Sequence, residues 1–275
     1  MNSRYLMAEK RLYIIAGCNG AGKTTASKRF LPTILECRQW VNADEIAYGL
    51  SPLDPQSVAF QAGRIMLERI QELLNQDVTF AIETTLSTRA YRNLVLQAQA
   101  KGYRVELVFF YLPSPQMAIR RIAHRVKNGG HYVPDDIVIR RYYRGLNNLK
   151  NIFIPIVDHW DIYHYQGNAY VLLATGKKGD TCDLFDNLII MDNTVPYLSE
   201  QNKQFIECCN QAVLDMITEE ALHDGVVVME NRQGEPIWVR AREVLEKNPG
   251  LKFKDVEYTP IEVDIQEIIN SRVYH

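Results

Sequence analysis

The segment RLYIIAGCNGAGKTTASKRF, residues 11–30, constrains the fold more than any other part of this chain. Residues 11–16 form a short apolar run of strand character. Residues 17–24, GCNGAGKT, fit the phosphate-loop pattern G-x-x-x-x-G-K-[ST], with Gly17, Gly22, Lys23 and Thr24 at the required places. Helix-forming residues follow from Lys23, and Pro32 is expected to end that helix. Buried strand, glycine loop and helix together are the context in which this motif binds phosphate. Backbone N–H groups of Gly17, Cys18, Asn19, Gly20, Ala21, Gly22, Lys23, Thr24 and Thr25 would cradle a nucleotide, and the positive end of the helix would add to the attraction. Lys23 is expected to reach the β- and γ-phosphates, and the Thr24 hydroxyl to bind Mg²⁺.

The alternation continues beyond the loop. QWVNA (39–43) reads as a second strand, and Asp54-Pro55 as the start of a helix running to Gln76. VTFAIE (78–83) reads as a third strand, 88–101 as a helix, and RVELVFFYL (104–112) as a fourth strand. Ser114-Pro115 and Pro134 open two more helices. Strands alternating with helices imply a parallel sheet with right-handed crossovers. The fold class expected is α/β: a P-loop, adenylate-kinase-like parallel sheet flanked by helices. Later, WDIYHY and NAYVLLAT read as strands, 197–223 as a helix, and VVVMENRQGEPIWVRA (226–241) as a hairpin turning at Gln233-Gly234. This divides the chain into a kinase core, 1–195, with a lid at 114–150, and a helix-plus-hairpin extension, 196–275.

A formal net charge of −2 sets the chain apart from general nucleic-acid or membrane binders. There is no apolar run long enough to span a bilayer, and the first residues lack a signal-peptide pattern. Five cysteines, none in a C-x-x-C pair, read as reduced thiols of a cytoplasmic protein.

In open parallel sheets, ligands lie beyond the carboxyl ends of the strands. Asp44 follows the second strand and Glu83 ends the third. One carboxylate could take a proton from an acceptor hydroxyl, while the other holds the acceptor or a metal-bound water. Asp44 could also cap the helix EIAYGL. Thr84, Thr85 and Ser87 add hydroxyls at the same strand end. Between 117 and 150 lie Arg120, Arg121, Arg125, Lys127, Arg140, Arg141, Arg144 and Lys150, against two acids, Asp135 and Asp136. They bracket the loop NGGHYVP, 128–134, so two helices joined by a glycine loop are expected to form a lid over a triphosphate. No N-K-x-D guanine-reading motif is present.

Six stretches together resemble the zeta-toxin family of P-loop kinases, in the branch often labelled predicted ABC-type ATPase. They are YIIAGCNGAGKTT, VNADEIAYGLSP, AFQAGRIMLERI, FAIETTLS, GYRVELVFFYLPSP and RRIAHRVKNGGHYVPDDIVIRRYYRGLNNL, within residues 10–165. The resemblance implies phosphorylation of the 3′-hydroxyl of UDP-N-acetylglucosamine by ATP or GTP with Mg²⁺. It implies Asp44 as the base, Lys23 and Thr24 on phosphate and metal, Glu83 and Thr85 on the acceptor, and Arg125 and Arg141 on the phosphates. An antitoxin protein partner is a further implication. Two departures stand out: ETTLS replaces the toxins' E-G-T with its following arginine, and WDIYHYQG replaces the branch's D-N-S. Kinases of another small-molecule or nucleic-acid hydroxyl, and a nucleotide-dependent interaction protein with slow hydrolysis, are the alternative readings.

Overall fold

The computed structural model describes residues 9–127, 129–166, 169–180, 182, 200–231, 236–249 and 256–263. The turn expected at 233–234 lies outside them.

Apolar residues of strand β1 (Arg11–Gly17) alternate between two cores, as the two-residue period of a strand requires. Leu12, Ile14 and Ala16 face one core, and Tyr13 and Ile15 the other. Five strands pair in parallel, in the order β2 (Trp40–Asn42), β3 (Phe80–Thr84), β1, β4 (Arg104–Tyr111) and β5 (His159–Gln166). Strand β6 (Ala169–Lys177) pairs antiparallel with β5, so the two late apolar segments are at once the last core strand and a hairpin. The sheet is buried on both faces, which explains why β4 is so apolar.

Helix α1 (Lys23–Thr33) runs past Pro32 rather than ending at it. Pro32 gives up its own N–H bond, yet the Ile34 N–H still closes on Phe30 O at 2.9 Å, so the last turn survives. The short helix α2 (Ala43–Leu50) follows β2 directly. Its cap is Asn42, whose Oδ1 accepts the Asp44 N–H at 2.9 Å, and not Asp44. Helix α3 (Ala59–Asn75) begins later than Asp54-Pro55. Asp54 instead closes a turn, accepting the Ser57 hydroxyl on its carbonyl at 2.8 Å. Helix α4 (Tyr91–Ala100) likewise starts three residues beyond the expected position, 88.

Helices α5 (Pro115–Lys127) and α6 (Asp135–Asn148) stand at the carboxyl end of the sheet, and a π-helical turn (Leu149–Phe153) leads from α6 towards β5. Ser114 Oγ caps α5 through the Met117 N–H at 3.2 Å. Helix α7 (Glu200–Leu222) returns to the core: Phe205 packs on Phe30 and Tyr163, with ring centroids 4.4 Å from each. Strands β7 (Val226–Glu230) and β8 (Pro236–Arg240) form a two-stranded ribbon, followed by a helix absent from the sequence reading, α8 (Ala241–Lys247). The ribbon packs Val226, Val228 and Trp238 against Ala123 of α5. None of the five cysteines is in a disulfide. Among the described residues, no helix is long and apolar enough to cross a membrane.

Candidate active site

Strand β1 delivers the phosphate loop into α1. Gly22, at the head of α1, has φ 83°, and a Cβ there would run into the Tyr170 hydroxyl, so glycine is required. That hydroxyl donates to Ala21 O and pins the loop to β6. No side chain caps α1 and no acid occupies its first turn, which leaves its N–H groups for an anion. Lys23 is buried, with Nζ donating to Cys18 O at 2.9 Å. The Cys18 thiol is buried too, and burial pushes its pKa up to about 11, so it contributes backbone rather than sulfur chemistry.

Register places Glu83 beside Ile15 of β1 and Asn42 of β2. Its carboxylate therefore lies under the loop rather than out in the crevice. Thr24 Oγ1 donates to Glu83 Oε1 at 2.7 Å, while Glu83 Oε2 is buried without a hydrogen-bond partner. Burial raises the Glu83 pKa, Lys23 and Thr24 pull it down, and Asp44 and Glu45 raise it further. A hydroxyl and a carboxylate oxygen side by side, one of them uncommitted, fit a hard cation such as Mg²⁺, which takes few protein oxygens and keeps waters and phosphates. The resemblance gives Glu83 to the acceptor; the structure bonds it to the Thr24 hydroxyl.

Asp44 is exposed in the first turn of α2, free of capping. Glu45 turns away to pair with Lys28 at 2.9 Å. Arg125 reaches towards Asp44 and Glu83 from α5: burial lowers its pKa, and both carboxylates oppose that shift. Its Nη2 donates to His131 O at 2.9 Å, which folds the loop between α5 and α6 back onto the guanidinium. His131 has a lowered pKa, first from burial and next from Arg125. The same loop is tied to the α2–α3 segment by Gln56 Nε2, which donates to Tyr132 O at 2.6 Å. From α6, Arg141 Nη1 donates to Asn19 Oδ1 of the phosphate loop at 3.2 Å.

The arginine surplus therefore divides. Arg140 and Arg144 are exposed on α6, and Arg120 bonds Pro236 O of the ribbon. Arg125, Arg141 and a third, Arg121, face the loop. The Arg121 guanidinium stacks on the Tyr165 ring at 4.2 Å, and its Nη1 is buried without a hydrogen-bond partner. A Cβ on Gly22 would lie 3.5 Å from Arg121 Nη2. The sequence named Arg121 only within the surplus. The usable signal was its spacing, since Arg121 and Arg125 at i and i+4 share one helix face.

Thr84, Thr85 and Ser87 lie on a tight turn after β3. Thr84 Oγ1 accepts the Leu86 N–H at 3.0 Å, and the Thr85 and Ser87 hydroxyls are 2.9 Å apart. Leu86, fully buried, holds φ 59°, a left-handed conformation costly for a bulky residue. Helix α6 supplies the restraint. Asn148 Nδ2 donates to Leu86 O at 2.8 Å, and a Cβ on Gly145 would come within 2.7 Å of Thr85 O. Arg141, Gly145 and Asn148 recur at helical spacing, so one face of α6 contacts both the phosphate loop and the hydroxyl turn.

Residues 12–145 match the family model described as AAA domain. An uncharacterized protein of Haemophilus influenzae is 29% identical over 143 residues, which are 50% of this chain and the whole of that protein. Among solved structures, one from the PezAT chromosomal toxin-antitoxin system of Streptococcus pneumoniae is similar, with TM-score 0.51, 16% identity, and coverage of 76% of this chain and 88% of that one. The AvrRxo1-ORF1:-ORF2 structure with ATP gives TM-score 0.53 and 14% identity, covering 75% of this chain and 76% of that one. These similarities and the observed sheet establish a P-loop α/β fold of the adenylate-kinase type.

Proposed function

We propose that the protein is an ATP-dependent phosphotransferase that moves the γ-phosphate to a hydroxyl of a small molecule, with UDP-N-acetylglucosamine as the leading acceptor and GTP as an alternative donor. The observation that carries this reading is the convergence of Arg125, Asp44 and Glu83 beside the phosphate loop, with Arg141 bonded to Asn19. Cations on the α5–α6 lid would neutralise charge as the phosphoryl group moves, and closure would exclude water. Lys23 holds the phosphates. Thr24 and Glu83 would hold Mg²⁺, which when bound neutralises the phosphate oxygens. Asp44, exposed and uncommitted, takes the acceptor proton. Thr85 and Ser87, on the turn braced by α6, orient the acceptor. The similarity to a structure from a toxin-antitoxin system supports an antitoxin-like protein as partner.

The test is incubation with ATP, Mg²⁺ and UDP-N-acetylglucosamine, followed by phosphorus NMR of the products. A new phosphomonoester coupled to a sugar proton is expected. ADP and inorganic phosphate in equal amounts, with the nucleotide sugar intact, would reject this acceptor.

A further inference from the structure

On the Tyr13 face of the sheet, the amino-terminal half of the strands carries charge where the carboxyl half carries apolar side chains. Register sets Arg11 opposite Arg104, Tyr13 opposite Glu106, Glu106 opposite His159, and Asp161 between Val108 and Thr175. One row further on, the neighbours are Phe110 and Tyr163, as in an ordinary core. The charged rows line a cavity of about 320 Å³, closed by Leu35 beyond α1 and Phe205 of α7. Arg11 lies six residues before Gly17, which places this cavity on the order of 20 Å from the phosphate loop.

Glu106 and Asp161 are buried residues, their side chains 11% exposed. Burying carboxylates is costly unless their charge and hydrogen-bonding capacity are met. Here they are met in part. Arg11 Nη1 donates to Glu106 Oε1 at 3.1 Å, and Arg104 Nε lies 3.0 Å from the same oxygen. Two guanidiniums thus share one oxygen across adjacent strands. Like charges directly opposite repel; Arg11 Nη2 is also taken, by Glu9 Oε2 at 3.0 Å, while the Arg104 Nη groups keep their donors available. At the other end, Asp161 Oδ1 lies 3.2 Å from His159 Nε2, an ion-pair contact that raises the His159 pKa although the ring N–H is not well aligned with the oxygen. The cavity therefore offers the Arg104 donors at one end, a carboxylate met by His159 alone at the other, and an apolar wall between α1 and α7.

We propose that this cavity binds a small zwitterion of the free amino acid type. The carboxylate takes the free fork of Arg104, for which guanidinium geometry is suited. The ammonium donates to Asp161, and the ligand's side chain lies against Leu35 and Phe205. A simple anion leaves Asp161 unsatisfied, and a simple cation meets the arginine pair.

The test is calorimetric titration of the intact chain with a pool of the twenty protein amino acids and then with single ones. Inorganic phosphate serves as the anion-only probe and putrescine as the cation-only probe. Saturable binding of at least one amino acid is expected, with neither control binding and with the signal unchanged by saturating ATP. Asp161→Asn should abolish it, and Arg104→Gln should weaken it at least tenfold. Arg104 is substantially exposed, so that variant keeps the fold even if Asp161→Asn does not. Failure of every amino acid to bind, equal binding of phosphate or putrescine, displacement by ATP, or unaltered binding in Arg104→Gln would each overturn the proposal. None of these outcomes depends on the phosphotransferase reading.

Discussion

The Thr24 hydroxyl donates a 2.7 Å hydrogen bond to Glu83 Oε1, joining the last residue of the phosphate-loop motif to the end of the neighbouring strand. In the proposed function this pair would hold the metal ion. Its second carboxylate oxygen is buried without a hydrogen-bond partner, a cost that Lys23 and Thr24 offset in part and a bound cation would offset further. Glu83→Gln should lower phosphoryl transfer roughly a hundredfold or more, as when other preorganised charge partners are removed. It should also raise thermal stability at neutral pH, because a neutral amide avoids burying charge. A variant that is less stable yet fully active would refute the assignment.

The same residue sets a pH dependence. Its pKa is raised by burial, so its protonated form is favoured in the fold. The linked stability is fully present below the ordinary glutamate range and is lost as pH rises through the raised value. Metal-dependent activity needs the carboxylate and runs the opposite way. Mg²⁺ binding by the metal-free protein should therefore weaken as pH falls through the raised value, and in Glu83→Gln this pH dependence should vanish. Mg²⁺ affinity that changes only at the ordinary glutamate value would contradict the buried-carboxylate account.

Asp44 and Asn42 separate chemistry from capping. Because Asn42 makes the cap, Asp44→Asn should change stability by no more than about 0.5 kcal/mol, typical of surface positions. Asn42→Ala should cost about 1 kcal/mol. Transfer should fall steeply in Asp44→Asn, with ATP binding retained. Equal loss of ATP affinity and turnover would mean that Asp44 acts on the nucleotide or metal and not as the base.

Arg125→Lys and Arg141→Lys keep the charge but lose the fork that bonds His131 O and Asn19 Oδ1. Each should lower kcat by about tenfold or more while changing ATP affinity less, as expected of contacts strongest in the transition state. Steady-state kinetics alongside direct ATP titration separates the two. Cleavage within residues 129–134 should slow in ATP and Mg²⁺; a rate indifferent to nucleotide would remove the lid from the mechanism.

Gly145→Ala probes the hydroxyl turn without touching the nucleotide. The new Cβ would press on Thr85 O and force the turn or α6 to shift, at a cost of about 1–3 kcal/mol. The KM for the acceptor should rise while the KM for ATP holds. Parallel increases in both would show that α6 moves as a whole.

The strand–loop–helix rhythm was legible in the sequence because both faces of the sheet are buried and the strands read as apolar runs. Helix starts were less legible. Asn42 and Asp44 are both capping residues two positions apart, and sequence alone does not say which one turns its side chain onto the helix. Asp54-Pro55 resembles a helix start but closes a turn. The phosphate-loop motif singled out Lys23 and Thr24, and places at strand ends singled out Asp44 and Glu83, which the structure brings close to the same loop. Which arginines face the loop was not, since Arg120 and Arg121 are adjacent and only the ribbon's packing on α5 decides between them. The buried charges of β4 and β5 gave no signal, because Glu106, His159 and Asp161 read as ordinary polar positions until the strands are set side by side.

The central claim, transfer to a small-molecule hydroxyl rather than to water, is tested most directly by following the γ-phosphate of labelled ATP in a metabolite extract. The protein should place most of the label in one organic phosphate ester, and ADP production should rise with added extract. Label recovered entirely as inorganic phosphate, at a rate unaffected by the extract, would contradict the account.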